Sequence, residues 1–159
     1  MKFRDTLPDG VRVFETRLPV QWADVDIAGI MYFAAYMRFA ERAEMEMFRE
    51  LGFPYGTVFE AFDFWLPRVR VESEYHAPAL MDDWLLMRTH LEKVGGSSVR
   101  WRTVMFNERT SEPGAAFTFT VACMDRKTKK SRPLPPPLRE ALLRAADPQG
   151  SFTGKTAPG

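Results

Sequence analysis

Between about Met31 and Leu51 the apolar residues fall at helical spacing, and this one segment limits the folds open to the chain. Phe33, Tyr36, Met37, Ala40, Ala43, Met47, Phe48 and Leu51 recur every three or four residues. Arg38, Glu41, Arg42, Glu46, Arg49 and Glu50 mostly take the other face. Gly52 supplies a C-terminal stop, with Pro54 shortly after it. At about 1.5 Å per residue the helix is about 30 Å long. Its apolar face is wide enough to be wrapped by a sheet.

The flanking segments supply that sheet. Val11 to Gln21 reads as a strand, with Val11, Val13 and Thr16 among alternating charges. Phe53 to Leu66 reads as a connection. Four strand-like runs follow: Val69 to His76, Trp84 to Val94, Ser97 to Asn107 and Ala115 to Asp125. Ala77-Pro78, Gly95-Gly96 and Glu112-Pro113-Gly114 are the turns expected between them. Short turns make antiparallel pairing the economical arrangement. A basic turn, Arg126 to Arg132, and prolines 133 and 135–137 lead into a short helix from Leu138 to Ala146. The order argues an α+β fold, one long helix on one face of a curled antiparallel sheet. The expected organisation is a polar segment at 1–10, a single domain at 11–146 and a flexible Gly/Pro/Ser-rich tail at 147–159. One helix leaves sheet edges and aromatic surface uncovered, so a homodimer is expected.

Composition narrows the function classes. A net charge of +1 argues against a nucleic-acid partner. No run approaches the roughly 18 apolar residues of a membrane span, and the amino terminus lacks an apolar signal core, so a cytoplasmic location is the default expectation. Cys123 is the single cysteine, which precludes an intrachain disulfide and reads as a small buried thiol on a strand. With His76 and His90 as the two histidines, on separate strands, a zinc site is not expected. No Walker or Rossmann glycine loop and no Gly-x-Ser-x-Gly elbow is present. The cluster Phe62-Asp63-Phe64-Trp65 suits core or interface packing better than an acyl pocket.

The chemistry concentrates at the mouth of the helix. Asp24-Val25-Asp26-Ile27-Ala28-Gly29 puts acidic side chains and a glycine just ahead of it. Backbone N–H groups at the electropositive helix start can hold a carbonyl oxygen while a carboxylate attacks or activates water nearby. That is acyl transfer without serine, histidine or metal. The plainer reading of Asp26 is a helix N-cap, which holds if the helix begins near Ile27 and fails if it begins near Met31. Spacing leaves both open. Asp24, two residues earlier, suits turn or surface hydrogen bonding and is the alternative carboxylate.

Asp24-Val25-Asp26-Ile27-Ala28-Gly29-Ile30, followed by Tyr32-Phe33, Tyr36 and Phe39-Ala40-Glu41, resembles the signature of hotdog-fold acyl-CoA thioesterases of the 4-hydroxybenzoyl-CoA thioesterase type. Leu51-Gly52-Phe53-Pro54, Glu74-Tyr75-His76-Ala77-Pro78-Ala79 with Asp82 or Asp83, Gly96-Ser97-Ser98, and Asp125-Arg126 through Arg132-Pro133-Leu134-Pro135 add to the likeness, over roughly residues 12 to 145. The resemblance implies hydrolysis of an acyl-CoA to a free acid and CoA. Asp26 is the implied catalytic carboxylate, as nucleophile or general base, and the Phe33 backbone amide the implied oxyanion donor. Many relatives carry a His where Phe33 stands, so an imidazole contribution is absent here.

Gly29, Tyr32, Glu41, Lys93, Ser97 and Ser98 are the candidate substrate contacts. An intrahelical pair with Arg38 or Arg42 suits Glu41 equally well. Lys93 or the 126–132 turn could meet the coenzyme phosphates, although a basic hairpin tip is usually solvated charge. No separate cofactor or metal is implied, because CoA is part of the substrate. The resemblance further implies a dimer and a tetramer. The alternatives are an acyl-CoA-binding protein without turnover and an acyl-carrier-protein thioesterase. A hydratase ranks lower because this helix offers no His.

Overall fold

The computed structural model describes residues 7–147, so the expectations for residues 1–6 and 148–159 lie outside the described residues. Seven strands and three α-helices follow one another: β1 (Phe14–Pro19), α1 (Phe33–Glu50), α2 (Tyr55–Phe62), β2 (Phe64–Trp65), β3 (Arg68–Tyr75), β4 (Trp84–Val94), β5 (Ser98–Asn107), β6 (Glu112–Ala122), β7 (Met124–Asp125) and α3 (Pro136–Ala146). A single 3-10 turn at Trp22–Asp24 separates β1 from the loop that enters α1. The main sheet is antiparallel, ordered β1, β4, β5, β6, β3. β2 and β7 form a separate two-stranded ribbon.

The expected α+β hotdog arrangement is present, with α1 packed on one face of the sheet. Ala35, Tyr36, Phe39, Ala40, Ala43, Met47 and Phe48 are buried on α1. They meet Trp101, Phe117, Phe119, Met87 and Leu91 from the sheet. Phe48 stands edge-on to Trp101 at 6.1 Å between centroids, a geometry that adds to simple area burial. Leu138 and Leu142 of α3 join the same core. Cys123 is buried there, and burial pushes its thiol up, as expected of an inert cysteine.

Several boundaries differ from the sequence reading. Phe33, assigned to the buried face of the helix, is 74% exposed, and Phe39 takes its place in the core. The helix starts at Phe33 with Tyr32 as N-cap, so its first turn projects its side chain off the packed face. The connection at 53–66 contains α2, held by the contacts of Tyr55 and Phe59 with Phe48 and Phe64. Glu112-Pro113-Gly114 is not a turn but the start of β6. A register slip between Met105 and Phe106 admits the proline opposite Phe106. Gly114 allows a close approach there, since a Cβ would stand 3.1 Å from the Ala77 carbonyl oxygen, and its own carbonyl accepts from His76 and Ala77.

β3 lies at one edge of the sheet with Val69, Val71 and Tyr75 exposed along it. Among the described residues, no helix is long and apolar enough to cross a membrane.

Candidate active site

Two loops meet ahead of α1. The first runs from the Trp22–Asp24 turn to Tyr32. The second spans residues 79–83, between β3 and β4. They are stitched together by main-chain bonds: Met31 N–H donates to the Ala79 carbonyl at 2.8 Å, Ile30 bridges Leu80, and Val20 exchanges bonds with Asp83 and Asp82. The Tyr36 hydroxyl, from the first turns of α1, accepts the Ala79 N–H at 3.2 Å. These contacts fix both loops to the same end of the helix.

Asp26 begins a tight turn and is not a cap of α1. Its carbonyl accepts Gly29 N–H at 2.9 Å, and its Oδ1 accepts Ala28 N–H at 2.8 Å. Gly29 has φ 75°, a conformation open to glycine without strain, which lets the chain double back toward Tyr32. The second Asp26 oxygen is engaged by none of the described residues. Asp26 lines a cleft of about 630 Å³ with Trp22, Val25, Ile27, Gly29, Leu80 and Met81. Trp22 is 80% exposed and Ile27 is fully exposed, an apolar rim that a single chain leaves in water.

Asp24, the alternative carboxylate, is not available for chemistry. It is buried, its Oδ2 accepts Gln21 N–H at 2.9 Å, and its Oδ1 accepts Arg38 at 3.0 Å. The turn role expected for it holds, but in the interior and not at the surface. Asp83 is the carboxylate that sequence reasoning named only in passing. It is buried and accepts from Leu80 N–H at 2.8 Å, from Asn107 Nδ2 at 2.7 Å and from Arg109 through both oxygens. The Arg109 guanidinium, helped by Leu80 and Asn107 against burial, holds its carboxyl down to about 2.

Phe33 is the first residue of α1, so its N–H has no partner within the helix. Its side chain lines a separate recess of about 300 Å³ with Met31, Tyr36, Tyr75, His76, Ala77 and Pro78. The Tyr75 hydroxyl donates to the Phe33 carbonyl at 3.1 Å. The resemblance implies that Asp26 and the Phe33 amide act on one bound thioester. In the single chain Asp26 is exposed, and the two residues line different hollows.

The remaining candidates spread further. Tyr32 is half-buried and its hydroxyl accepts Arg38 at 2.8 Å. Glu41 is exposed on α1, about 12 Å along the axis from Phe33 at ~1.5 Å per residue. Its suggested partner Arg38 is turned to Tyr32 and Asp24 instead. Lys93, Ser97 and Ser98 sit where β4 turns into β5, the opposite end of β4 from Leu80 and Met81. Eleven residues of β4 at ~3.3 Å each, about 36 Å in all, lie between them and the Leu80–Met81 wall of the cleft within one chain. In the 126–132 turn, Arg126 and Arg132 donate to the carbonyls of Phe59, Phe62 and Asp63, where they complete the C-terminal end of α2. Among the described residues no group of three or more His, Cys, Asp or Glu is gathered to hold a metal ion.

A long helix packed against an antiparallel sheet defines the hotdog class of α+β proteins. Residues 20–142 match the thioesterase-like superfamily, and the chain belongs to that family of thioester hydrolases. It is 32% identical over 124 residues to the acyl-CoA thioester hydrolase YbgC of Escherichia coli O6:H1, a match covering 77% of this chain and 90% of the relative. Among solved structures, the 1,4-dihydroxy-2-naphthoyl-CoA thioesterase Slr0204 from Synechocystis superposes with a TM-score of 0.77 at 22% identity, over 82% of this chain and 96% of that one. The hypothetical protein SAV2348 from Staphylococcus aureus, solved in complex with CoA, superposes with a TM-score of 0.81 at 11% identity over 94% of each chain. The last two likenesses are of fold.

Proposed function

We propose that this protein hydrolyses acyl-CoA thioesters to a free acid and CoA, by an aspartate mechanism of the 4-hydroxybenzoyl-CoA thioesterase type. The observation that carries the reading is the contrast among three carboxylates at one end of the helix. Asp24 and Asp83 have both oxygens occupied, whereas Asp26, which lines the cleft, keeps one oxygen without a partner among the described residues. Asp26 attacks the thioester carbonyl, or takes a proton from the water that does. The C–S bond breaks and the thiolate leaves as CoA; where Asp26 has attacked, water then cleaves the acyl–aspartate anhydride, which releases the free acid and restores Asp26. The Phe33 N–H holds the oxygen that becomes negative. One charged group and one oriented donor suffice because a thioester carbonyl is electrophilic and its thiolate departs readily.

The catalytic unit is a homodimer. Its support is the exposed β3 edge, with Val69 62% and Val71 40% exposed, together with the uncovered Trp22 and Ile27 at the cleft and Phe33 at the second recess. Pairing two β3 edges brings a second copy against the helix start, where it closes the hollows of Asp26 and Phe33 into one site and supplies a candidate lining from Lys93, Ser97 or Ser98.

The amide is tested by Phe33→Pro beside Phe33→Ala. Proline is accepted at the first helical residue, and Tyr32 already has the extended ψ of 151° that a following proline requires. Both variants lose the ring, but only proline loses the N–H. Turnover of a panel of acyl-CoAs, read by thiol release, should fall about 100-fold further in the proline variant, the usual loss on deleting one oxyanion donor. Equal turnover in the two variants rejects the amide. Saturable binding of the panel with no thiol released rejects hydrolysis itself.

A further inference from the structure

Arg38 occupies a position that the reaction as described does not use. It sits on α1, five residues past the helix start, with its side chain half exposed. One arm of its guanidinium donates to the Tyr32 hydroxyl at 2.8 Å and the other to Asp24 Oδ1 at 3.0 Å. Its Cζ lies 5.6 Å from the centre of the Tyr32 ring. Asp24 and Tyr32 are the two ends of the loop that carries Asp26, and they also meet directly, Tyr32 N–H donating to the Asp24 carbonyl at 3.0 Å. The second Asp24 oxygen ties the loop back to Gln21.

We propose that Arg38 is a positioning residue for the Asp26 carboxylate, acting through Asp24 and Tyr32. The inference rests on the reading of Asp26 given above. The loop between these ends is short and solvent-facing, with Asp26, Ile27, Ala28 and Gly29 all exposed. Its internal bonds shape the turn, but they do not attach it to the helix. Ile30 and Met31 hold it to the 79–80 loop through main-chain bonds, and Arg38 is the α1 side chain that bonds both of its ends, Asp24 and Tyr32, at once. A planar fork is required, because a lysine offers a point charge and cannot span a phenol and a carboxylate in fixed geometry. A carboxylate displaced by about 1 Å from its target loses on the order of 100-fold in rate. Tyr32 accordingly serves the loop with its hydroxyl, which accepts the Arg38 guanidinium.

The competing role for a half-exposed arginine beside this cleft is direct contact with a coenzyme phosphate. Kinetics on two substrates separate the roles: an acyl-CoA, and the same acyl group on N-acetylcysteamine, which carries no phosphate. For Arg38→Lys, Arg38→Met and Tyr32→Phe, positioning predicts that kcat falls about tenfold on both substrates, while KM stays within about twofold. The Tyr32→Phe/Arg38→Met double variant should be no slower than Arg38→Met, because both remove the same clamp.

Tyr32→Phe deletes a single oxygen from a half-buried ring, so it tests the clamp even where an arginine variant folds poorly. A rise in KM confined to the CoA substrate overturns the inference in favour of phosphate binding. An unchanged kcat in all three variants overturns it outright. Asp26→Asn run alongside keeps the two failures apart. If Asp26→Asn is inactive and the clamp variants are normal, only the role of Arg38 falls. If Asp26→Asn is fully active, the reading of Asp26 falls with it.

Discussion

The loop carrying Asp26 and the loop carrying Asp83 face each other across one cleft, and each presents a carboxylate at the same end of α1. Asp26 is exposed, with a single bond to its own turn. Asp83 is buried, with a main-chain donor, an amide and a guanidinium all pointing at it. The residue type is the same and the outcomes are opposite. A carboxylate whose lone pairs are all engaged is a strut: its ionised form is stabilised and its basicity falls. A carboxylate left with an open oxygen on a held backbone is able to react. Function at this site is thus assigned by the donors around each acid, and the two loops should respond to substitution in opposite ways.

The largest effect that can break this contrast is on activity. Asp26→Asn should lower kcat/KM about 100-fold or more, the range expected for removing a positioned base or nucleophile. Its melting temperature should stay within about a degree of wild type, since only one exposed turn bond is altered. Asp83→Ala should do the reverse in kind. It strips acceptors from Leu80 N–H and from Asn107, which is 4% exposed, and costs about 2–3 kcal/mol by urea unfolding. Arg109 adds little to that figure, because its half-exposed guanidinium is rehydrated. Should Asp83→Ala leave stability unchanged while Asp26→Asn lowers it, the assignment of strut and reactive acid is inverted.

A smaller effect sharpens the same contrast through pH. The Asp83 carboxyl is held at about 2, below its ordinary value of 3.8. The unfolded chain therefore takes up the proton first. The contribution of Asp83 to stability is complete above about pH 4 and is lost as pH falls toward 2. Glu44, on the buried face of α1, works in the other direction: burial raises its carboxyl above the usual range despite the partnership of Arg68 and Tyr55. Its protonation favours the folded form, so the raw acid limb mixes both groups. The difference in melting temperature between wild type and Asp83→Asn, followed from pH 5 to pH 2, isolates Asp83. That difference should shrink as pH falls.

What the sequence disclosed follows the reach of its signals. α1 was legible because its periodicity is local and its stop is a glycine at the end of the pattern. The β4–β5 hairpin was legible from Gly95-Gly96. α2 was not, because Tyr55, Gly56, Thr57, Val58 and Phe59 are poor helix formers, and what holds the segment is packing on Phe48 and Phe64. The carbonyls at its end are met by Arg126 and Arg132, some seventy residues away in sequence. Spacing gave Asp24 a turn or surface role and left Asp26 open between cap and catalyst, without showing why one is buried and the other exposed. The group that separates them is Arg38, fourteen residues downstream, and its i to i+14 contact has no local signature. Asp83 acquires its meaning from Arg109, twenty-six residues on across a hairpin. The Asp26 and Phe33 hollows stay apart in one chain, a relation that a single sequence pattern does not encode.

The smallest expected effect bears on how the Asp26 loop keeps its shape. Gly29 has φ 75°, and a Cβ built there meets no atom within 4 Å. Gly29→Ala therefore introduces no clash, and its whole cost is the left-handed backbone, about 1 kcal/mol. If that strain is absorbed in the native turn, the loss appears as stability, with kcat close to wild type. If the turn relaxes instead, Asp26 shifts and kcat drops with little change in melting temperature. The turn is closed by Gly29 N–H on the Asp26 carbonyl and by Asp26 N–H on the Ile30 carbonyl, both at 2.9 Å, while its outer residues are free in solvent. Relaxation is then the easier path, because the exposed turn can move without disturbing the core. Gly29→Ala should lower kcat by about fivefold, the activity equivalent of roughly 1 kcal/mol, and leave the urea midpoint nearly unmoved. A stable loss of 1 kcal/mol in unfolding with full activity would mean that the turn is held as rigidly as the Asp83 loop opposite.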